Sequence, residues 1–409
     1  MTRCCRFCKA PLSMTFVDLG VSPLSNAFLK PNQLSGMEKF YPLHAFVCEE
    51  CFLVQLEEFE APDHIFSDYV YFSSYSESWL KHAAKYCDQM TEKLSLGASS
   101  FVVEVASNDG YLLKNFVQRN IPCLGIEPAE NVANVAIEKG VPTRSVFFGK
   151  ETALHLRAEG KAADLLLGNN VYAHVPDIND FTAGMKGLLA PTGVVTLEFP
   201  HLLQLIKNSQ FDTIYHEHFS YLSLLAVEKI FAAHGLKVFA AEQLPTHGGS
   251  LRVYGQHAEG QGRPVEPSLE VVRGLEREAG FGSTAAYSRF RPQVEKIKRE
   301  LLSFLIEAKA ARRSVAAYGA AAKGNTLLNF CGIRQDFVDY VVDKNPHKQG
   351  LFTPGTHIPV YSPEKILETK PDFVLILPWN LKEEVAAQLQ EIRSWGGNFV
   401  VPIPSLQVF

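Results

Sequence analysis

The sequence has no feature that would hold it in a membrane or on a nucleic acid. No apolar run is long enough to span a bilayer, and the first residues, MTRCCRFCKA, lack the apolar segment of a secretory signal. The formal net charge is −5 and the isoelectric point is near 6.2, values that argue against a broad nucleic-acid surface. We therefore expect a cytoplasmic protein whose partners include neither a membrane nor a nucleic acid.

Motifs that define common nucleotide and metal sites are missing too. There is no Gly-x-Gly-x-x-Gly run of a dinucleotide-binding protein, no His-Glu-x-x-His of a catalytic zinc helix and no repeat of solenoid period. What is present is 409 residues with 46% hydrophobic and 20% charged side chains, the composition of an ordinary globular protein. A chain of this length is too long for one core, so we expect two or three domains.

The eight cysteines favour thiols or metal ligands over disulfides, because a reducing compartment is expected. Two C-x-x-C knuckles, Cys5 to Cys8 and Cys48 to Cys51, can each supply two thiolates from one tight turn. We predict a structural zinc ion held by all four, since four sulfurs leave no open position for catalysis. Cys4 could replace one ligand, and reduced cysteines without a metal are the alternative.

Residues 101–113, FVVEVASNDGYLL, predict a buried strand, a tight polar turn and the start of a helix. In this geometry backbone N–H groups can approach a ligand. After the next strand comes Glu127, an acid placed to bind two ribose hydroxyls. The turn lacks the Lys-Ser/Thr pair of a P-loop, and its single glycine, Gly110, suits S-adenosylmethionine (SAM) better than a dinucleotide. An ordinary buried α/β turn is the alternative.

Residues 98–240 alternate strand and helix patterns, which predicts a doubly wound α/β domain. Ligands of such sheets lie beyond the carboxyl ends of the strands. The polar residues at or just beyond those ends are Asn108, Asp109, Glu127, Asn169, Asn170, His174, Glu198 and His201. Their shared location favours a binding site more strongly than any one of them does alone.

The stretch YHEH, residues 215–218, crowds four proton-handling side chains together. A histidine is a suitable general base at neutral pH, and a neighbouring acid or phenol can orient it. A catalytic metal site and a surface loop with chance histidines are the alternatives.

Two further stretches could contact a sugar nucleotide. The hydroxyl-rich segment 61–78 could line a sugar site, or it could be a surface connector. Its hydroxyl-bearing residues include Tyr69, Tyr71, Ser73 and Ser74. In LPTHGGSLRVYG, residues 244–255, the glycine pair could present backbone donors to an anion and Arg252 could pair with phosphate. A hairpin turn with a solvated arginine is the alternative.

Residues 314–409 begin a second α/β pattern, after a Gly- and Pro-rich linker at 256–267 and a long amphipathic helix. Small residues and Lys323 follow its first strand, which ends at Tyr318, and such a turn can receive phosphate. This half could therefore hold a nucleotide diphosphate. Close packing of helix on strand at Gly319 is the alternative.

The order of these motifs resembles the SAM-dependent C-methyltransferases of nucleotide-linked deoxysugars. The motifs are the two C-x-x-C knuckles, Y-x-Y-x-S-S, E-V-x-S-N-D-G, Y-x-E-H-F, H-G-G-S-x-R and Y-G-A-x-A-K, and they cover nearly the whole chain. The likeness implies a zinc-binding domain at 1–65, a methyltransferase domain with a doubly wound sheet at 66–255, and a Rossmann-like α/β domain at 256–409 that helps to bind the nucleotide sugar. The chain departs from the usual pattern at Ala106, where methyltransferases usually carry glycine.

The likeness and the patterns together assign roles to individual residues. His218 matches the general base, and the other catalytic positions are Tyr71, Tyr215, Glu217 and His174. The residues expected to bind SAM are Glu104, Ala106, Asn108, Asp109, Gly110, Glu127, Asn169 and Asn170. The residues expected to bind the substrate are Tyr69, Ser73, Ser74, His247, Gly249, Arg252, Tyr318, Lys323 and Asn325.

The reaction implied by the likeness is methylation of a carbon next to the ketone of a nucleotide-linked 4-keto deoxysugar. A general base removes the proton, and a hydroxyl such as that of Tyr71 stabilises the developing oxyanion. We expect SAM and structural zinc as cofactors, and a monomer or a weak dimer. An NAD-dependent nucleotide-sugar oxidoreductase and a non-catalytic zinc-ribbon adaptor are the alternative functions.

Overall fold

The computed structural model describes residues 3–60, 74, 77–260 and 262–409. This part of the chain forms two compact units, and each is assembled from separate stretches of sequence. The first unit contains Met1–Leu12, Cys48–His201 and Phe219–Gly282. The second contains Ser13–Val47, Leu202–His218 and Ser283–Phe409. Segments that follow one another in sequence therefore belong to different units.

The chain alternates between strands and helices over most of its length. The strands of the described residues, β1 to β17 in chain order, are Met14–Ser22, Tyr41–Val47, Val54–Leu56, Val102–Val105, Cys123–Ile126, Thr143–Arg144, Ala163–Asn169, Leu189–Pro200, Ser220–Tyr221, Leu236–Leu244, Ser250–His257, Val315–Tyr318, Val341–Val342, Val360–Tyr361, Phe373–Ile376, Asn398–Val401 and Gln407–Val408. The α-helices of the same residues, α1 to α13, are Glu77–Leu94, Lys114–Val117, Glu130–Glu138, Lys150–Ala158, Ile178–Leu188, Leu202–Lys207, Leu224–Ala233, Pro267–Glu278, Thr284–Ser288, Phe290–Ala310, Ala322–Cys331, Glu364–Thr369 and Lys382–Gln388. Short 3-10 turns lie at Pro31–Gln33, Tyr172–His174, Phe211–Thr213, Thr246–Gly248, Trp379–Leu381 and Gln390–Trp395.

The first unit is built on a seven-stranded sheet with the order β10-β11-β8-β7-β4-β5-β6. Strands β8, β7, β4, β5 and β6 are parallel, and β11 runs antiparallel between β8 and β10. The inner strands β4 (VVEV) and β7 (ADLLLGN) are buried along nearly their whole length, as parallel strands covered on both faces should be. The strand order reverses between β4 and β7, and such a reversal places a ligand crevice beyond their carboxyl ends. The predicted doubly wound sheet is confirmed.

The cysteine-bearing segments of the first unit share its core. Cys5, Cys48 and Cys51 are buried in the same hydrophobic cluster as sheet residues such as Val103 and Leu166. A short antiparallel pair, β3 with β9, lies in the same unit. The metal-binding region is therefore packed as part of the unit that carries the first sheet.

The second unit is built on a six-stranded sheet with the order β14-β13-β12-β15-β16-β17, parallel except for β17. Its strand order reverses at β12 and β15, which gives this sheet a crevice of its own. The hairpin of β1 and β2 also belongs to this unit, and the ring of Phe16 stacks on Phe290 of α10 with centroids 4.6 Å apart. The predicted second Rossmann-like α/β domain is confirmed.

The placement of two segments could not be read from their order in the sequence. Helix α8 belongs to the first unit, although it follows the predicted linker, and Leu202–His218 belongs to the second unit, although first-unit strands flank it. The three-domain division at 1–65, 66–255 and 256–409 stays a prediction. Among the described helices, none is both long and apolar enough to cross a bilayer.

Candidate active site

Four cysteine sulfurs converge at the N-terminal knuckles, with all Sγ atoms within 4.8 Å of one another. The Sγ atoms of Cys5 and Cys51 are 3.6 Å apart, and those of Cys8 and Cys48 are 3.5 Å apart. A tetrahedral site with Zn–S bonds of about 2.3 Å needs sulfurs about 3.8 Å apart, so the cluster fits zinc. Cys4 is exposed and lies outside the cluster. Four protein sulfurs fill the coordination sphere, which makes the site structural.

The first knuckle is tied to the rest of the first unit by hydrogen bonds. The guanidinium of Arg6 donates to the carbonyl oxygens of Leu56 and Pro176, both at 2.6 Å. The side-chain amide of Asn179, on α5, donates to the carbonyls of Arg6 and Phe7 at 3.1 and 3.0 Å. These contacts connect the first knuckle to the start of α5.

The turn after β4 has an unusual backbone. Ala106 and Asn108 have φ values of 56° and 49°, and Gly110 has a φ of 75°. The Glu127 carboxylate, beyond β5, accepts the N–H groups of Asn108 and Ala129 at 2.9 and 3.0 Å. This contact locks the turn in place and leaves remaining lone pairs of the carboxylate for a ligand.

Several buried polar atoms around the β4–β7 crevice have no hydrogen-bond partner among the described residues. They are both carboxylate oxygens of Glu104, Oγ of Ser107, Oδ1 of Asp109 and both polar atoms of the Asn169 side chain. Leaving such groups unpaired in a protein interior costs about 1–3 kcal/mol each. A polar ligand with an ammonium group, a carboxylate and ribose hydroxyls would pair them, so the residues present fit SAM.

The charges of the crevice are mostly acidic. Burial, followed by the charges of Glu127 and Asp109, raises the pKa of Glu104 well above 4.5. Burial also raises the pKa of Glu127, although its two backbone hydrogen bonds oppose the shift. Asp109 has a cationic partner, Lys139, whose Nζ lies 2.8 Å from Oδ2. Sequence reasoning missed Lys139, which directly follows α3, because nothing in the sequence distinguishes it from a surface lysine.

Other predicted residues of the first unit lie at the ends of β7 and β10. Asn170, with a φ of 54°, approaches the Nε2 of His247 with its side-chain amide at 3.2 Å. The His247 ring meets Trp79 of α1 edge-on, with centroids 5.3 Å apart. His174 ends the 3-10 turn that follows β7, and Gly249 ends the turn before β11.

Arg252 is buried rather than solvated, so the solvated-arginine alternative is wrong. It is 1% exposed, and its guanidinium pairs with Glu198 at 2.9 Å and Glu242 at 3.0 Å. His82 approaches the same oxygen of Glu198 at 2.9 Å. Because both terminal nitrogens already have carboxylate partners, these contacts favour a structural role over the predicted phosphate contact. His201, another strand-end residue, pairs in the same way with Glu276 at 2.7 Å.

Of the hydroxyl-rich segment 61–78, the structure describes Ser74, Glu77 and Ser78. The Ser74 hydroxyl donates to Asp109, which places it at the SAM-type turn. The predicted residues Tyr69, Tyr71 and Ser73 lie outside the described residues.

His218, in the second unit, is held in one tautomer. Its Nδ1 lies 2.9 Å from the carbonyl oxygen of Thr213, and because a carbonyl can only accept, Nδ1 carries the hydrogen. Nε2 therefore keeps its lone pair and accepts the hydroxyl of Tyr215 at 2.9 Å. Glu217 is buried and accepts the Asn26 amide at 2.8 Å, and burial raises the pKa of its carboxyl. Because Nδ1 carries the hydrogen, Nε2 is the nitrogen of this imidazole that can take a proton.

The turn after β12 carries the other predicted residues of the second unit. Lys323 donates to Oδ1 of Asn380 at 2.6 Å, and Tyr318 donates to Gln388 at 3.1 Å. Asn325 is buried and donates to the carbonyl of Ser25 at 2.7 Å, while its Oδ1 has no partner among the described residues. Burial lowers the pKa of Lys323, and the charge of Asp212 opposes that shift.

Three family descriptions match successive parts of the chain. A putative zinc binding domain matches residues 5–66, a methyltransferase domain matches 79–241, and a C-methyltransferase C-terminal domain matches 245–404. The C-methyltransferase NovU of Streptomyces niveus is 35% identical over 404 residues, which cover 99% of this chain and 96% of NovU. The chain belongs to this C-methyltransferase family. It is a SAM-dependent C-methyltransferase with a zinc-binding N-terminal region, and the oxidoreductase and adaptor alternatives are set aside.

Two solved structures illustrate the likeness of part of this C-methyltransferase to known folds. Magnesium protoporphyrin IX methyltransferase of Synechocystis with bound SAM is 13% identical over 43% of this chain and 78% of its own, with a TM-score of 0.33. The YcgJ protein of Bacillus subtilis is 14% identical over 44% of this chain and 100% of its own, with a TM-score of 0.34. Scores of this size carry no argument about function.

Proposed function

We propose that this C-methyltransferase methylates the carbon next to the ketone of a nucleotide-linked 4-keto deoxysugar, with His218 as the general base. The observation that carries the proposal is the fixed tautomer of His218, whose Nδ1–H is held by the Thr213 carbonyl. The motif likeness to sugar C-methyltransferases supports the choice of substrate.

The chemistry requires a nucleophilic carbon. A ketone acidifies the neighbouring C–H group, so a base at Nε2 of His218 can take that proton and leave an enolate on the sugar. General-base assistance of this kind is worth about 10²- to 10⁴-fold in rate. The imidazolium that forms keeps its Nδ1–H on the Thr213 carbonyl, which holds the ring in place. Bound SAM supplies an electrophilic methyl group for the enolate carbon.

We propose that SAM binds beyond β4 and β7. Asp109 and Asn169 would pair its amino-acid part through their unsatisfied polar atoms, and Glu127 would accept its ribose hydroxyls. Both carboxylate oxygens of Glu104 also have no partner among the described residues, and they would pair with the same ligand. In the second unit, Lys323 and the small-residue turn after β12 would receive the diphosphate of the sugar nucleotide.

The test is an incubation with methyl-labelled SAM and a panel of nucleotide-linked 4-keto sugars that differ in base and ring substituents. We expect label in one or a few of them, located on ring carbon by mass spectrometry and NMR. The matched 4-hydroxy sugars should receive no label, because without the ketone the C–H group is not acidic. Label on oxygen, or equal label in the 4-hydroxy series, would contradict the proposal.

The role of His218 is tested separately from methyl transfer. In D₂O without SAM, the wild-type enzyme should exchange the proton next to the ketone, and His218→Ala should slow that exchange about 10²- to 10⁴-fold. SAM affinity of the variant should be unchanged. Exchange at the wild-type rate in His218→Ala would remove this residue from the base role.

A further inference from the structure

Asp212 is a buried carboxylate with no role so far in the reaction. It lies in the 3-10 turn Phe211–Thr213 of the second unit and is 0% exposed. Its Oδ2 accepts the indole N–H of Trp379 at 2.8 Å, and its Oδ1 has no partner among the described residues. Burial raises the pKa of this carboxyl to about 6, and the charge of Lys323 opposes the shift. Burying a carboxylate with incomplete hydrogen bonding costs free energy, so Asp212 is a candidate for a functional role.

The segment that carries Asp212 and the general base is fastened to α11 on both sides of the carboxylate. On one side, the ring of Phe211 meets Phe330 edge-on with centroids 5.3 Å apart. On the other, the carbonyl of Ile214 accepts the hydroxyl of Thr326 at 3.2 Å. Both partners are on α11, the helix that follows the first strand of the second sheet. The hydrogen bond of Asp212 to Trp379 therefore lies between two contacts that hold the same segment on α11.

The partner of Asp212 belongs to the crevice of the second sheet. Trp379 follows β15, one of the two strands at which the strand order reverses. Lys323 lies over the indole ring with Nζ 4.9 Å from the centroid, and the same Nζ donates to Asn380. The indole therefore contacts both Asp212, in the segment that carries the proposed base, and the lysine proposed for the diphosphate.

We propose that Asp212 and Trp379 are positioning residues for the general base. Their hydrogen bond fixes the 3-10 turn, and the carbonyl of Thr213 in that turn holds Nδ1–H of His218. If the turn is released, the carbonyl moves and the imidazole loses its alignment with the substrate C–H bond. A displacement of about 1 Å at a reacting group can cost about 100-fold in rate. The inference rests on the proposed role of His218.

The test compares three single variants, and the double variant Asp212→Ala with Trp379→Phe, in the full-length enzyme. Asp212→Ala and Trp379→Phe each remove one side of the hydrogen bond, and phenylalanine keeps an aromatic face for Lys323. Asp212→Asn keeps an oxygen that can accept the indole N–H. Solvent hydrogen exchange of the substrate, kcat for methyl transfer, SAM affinity and thermal unfolding are measured for each, with the exposed Asp336→Asn as the surface control.

We expect Asp212→Ala and Trp379→Phe to slow both exchange and kcat by about 10- to 100-fold, with SAM affinity unchanged. The double variant should be no slower than the worse single one, because the two residues share one interaction. Asp212→Asn should stay within about threefold of the wild-type enzyme, a rescue that a requirement for negative charge would not allow.

Two results would overturn the inference: exchange at the wild-type rate in Asp212→Ala, or Asp212→Asn as slow as Asp212→Ala. Failure of the proposed function looks different. If His218→Ala exchanges normally, the base assignment is wrong whatever Asp212 does. If His218→Ala loses exchange while Asp212→Ala and Trp379→Phe keep it, only the positioning role is wrong.

Discussion

Tyr215 donates its phenolic hydrogen to Nε2 of His218 across 2.9 Å, and the two ring centroids are 4.0 Å apart. The direction of this hydrogen bond follows from the other side of the imidazole, where Nδ1–H is committed to the Thr213 carbonyl. The phenol therefore contacts the nitrogen that the proposed reaction uses. In the proposed reaction, the hydrogen bond from Tyr215 to Nε2 must break before Nε2 can take the proton of a substrate C–H group.

Tyr215→Phe tests this contact with little change in packing. The phenyl ring keeps its place against the imidazole, but the hydroxyl that orients Nε2 is lost. We expect kcat for methyl transfer to fall about 10- to 100-fold with SAM affinity unchanged, as for other orienting groups. Isothermal titration and steady-state kinetics would check this. A variant with unchanged kcat would show that Thr213 alone orients the imidazole.

Cys5→Ser and Cys48→Ser should each lose the bound zinc. Every member of a four-sulfur site is needed to complete the coordination sphere, and structural zinc contributes about 10–16 kcal/mol of binding free energy. We expect about one zinc per wild-type chain by elemental analysis, and a lower melting temperature for the variants and for chelator-treated enzyme. Cys4→Ser is the matched control, because Cys4 lies outside the cluster. Loss of zinc in that control would assign Cys4 as a ligand.

Ala106→Gly should make the protein slightly more stable. Ala106 has a φ of 56°, a conformation that costs an L-residue about 1–2 kcal/mol, while glycine adds about 0.5–1 kcal/mol of chain entropy to the unfolded state. The expected net gain in the free energy of unfolding is about 0–1.5 kcal/mol, measured with denaturant. Gly110→Ala is the opposite change, since its φ is 75° and a Cβ atom would lie 2.9 Å from Cγ2 of Val141. Equal effects of the two changes would show that φ does not control the turn.

Most of the fold, and the residues at strand ends, could be predicted because they are local. Strand β4, its turn and Glu127 follow one another closely enough for hydrophobic pattern and turn chemistry to place them. The burial of Arg252 could not be predicted. Its partner Glu198 lies on β8, and the sequence does not show that β8 and β11 are neighbours in the sheet. The segment of Asp212 contacts Trp379 and Phe330, which follow it by more than a hundred residues. A hydrophobic pattern in the sequence predicts local elements and cannot predict such distant contacts.

Arg252→Met should destabilise the first unit. It would leave Glu198 buried without its arginine partner, and breaking a buried ion pair costs about 3–5 kcal/mol. The double variant Arg252→Met with Glu198→Gln should recover part of that loss, because no uncompensated carboxylate remains. Calorimetry on both variants would check the prediction. A single variant of wild-type stability would show that Arg252 is not paired as described.

Asp212→Asn should change how stability depends on pH. Burial raises the folded-state pKa of Asp212 from 3.8 to about 6. The protonated carboxyl therefore contributes its full share to the free energy of unfolding below pH 3.8, and this share is lost as pH rises through 6. The asparagine variant does not titrate, so its free energy of unfolding relative to wild type should rise by roughly 3 kcal/mol between these pH values. This is about two pKa units at 1.36 kcal/mol each. Urea unfolding at pH 4 and pH 8 measures the difference. An equal difference at both values, as expected for the control Asp336→Asn, would contradict the raised pKa.

The assignment of Leu202–His218 to the second unit limits how this enzyme can be recombined with its relatives. In a hybrid that takes the contiguous segment 79–241 from a relative, the residues around the proposed base would face Phe330, Thr326 and Trp379 of this chain instead of the relative's own residues. We expect such a hybrid to bind SAM and to align the proposed base poorly. Attempts to change the choice of substrate by exchanging segments should therefore move residues 202–218 together with the C-terminal half.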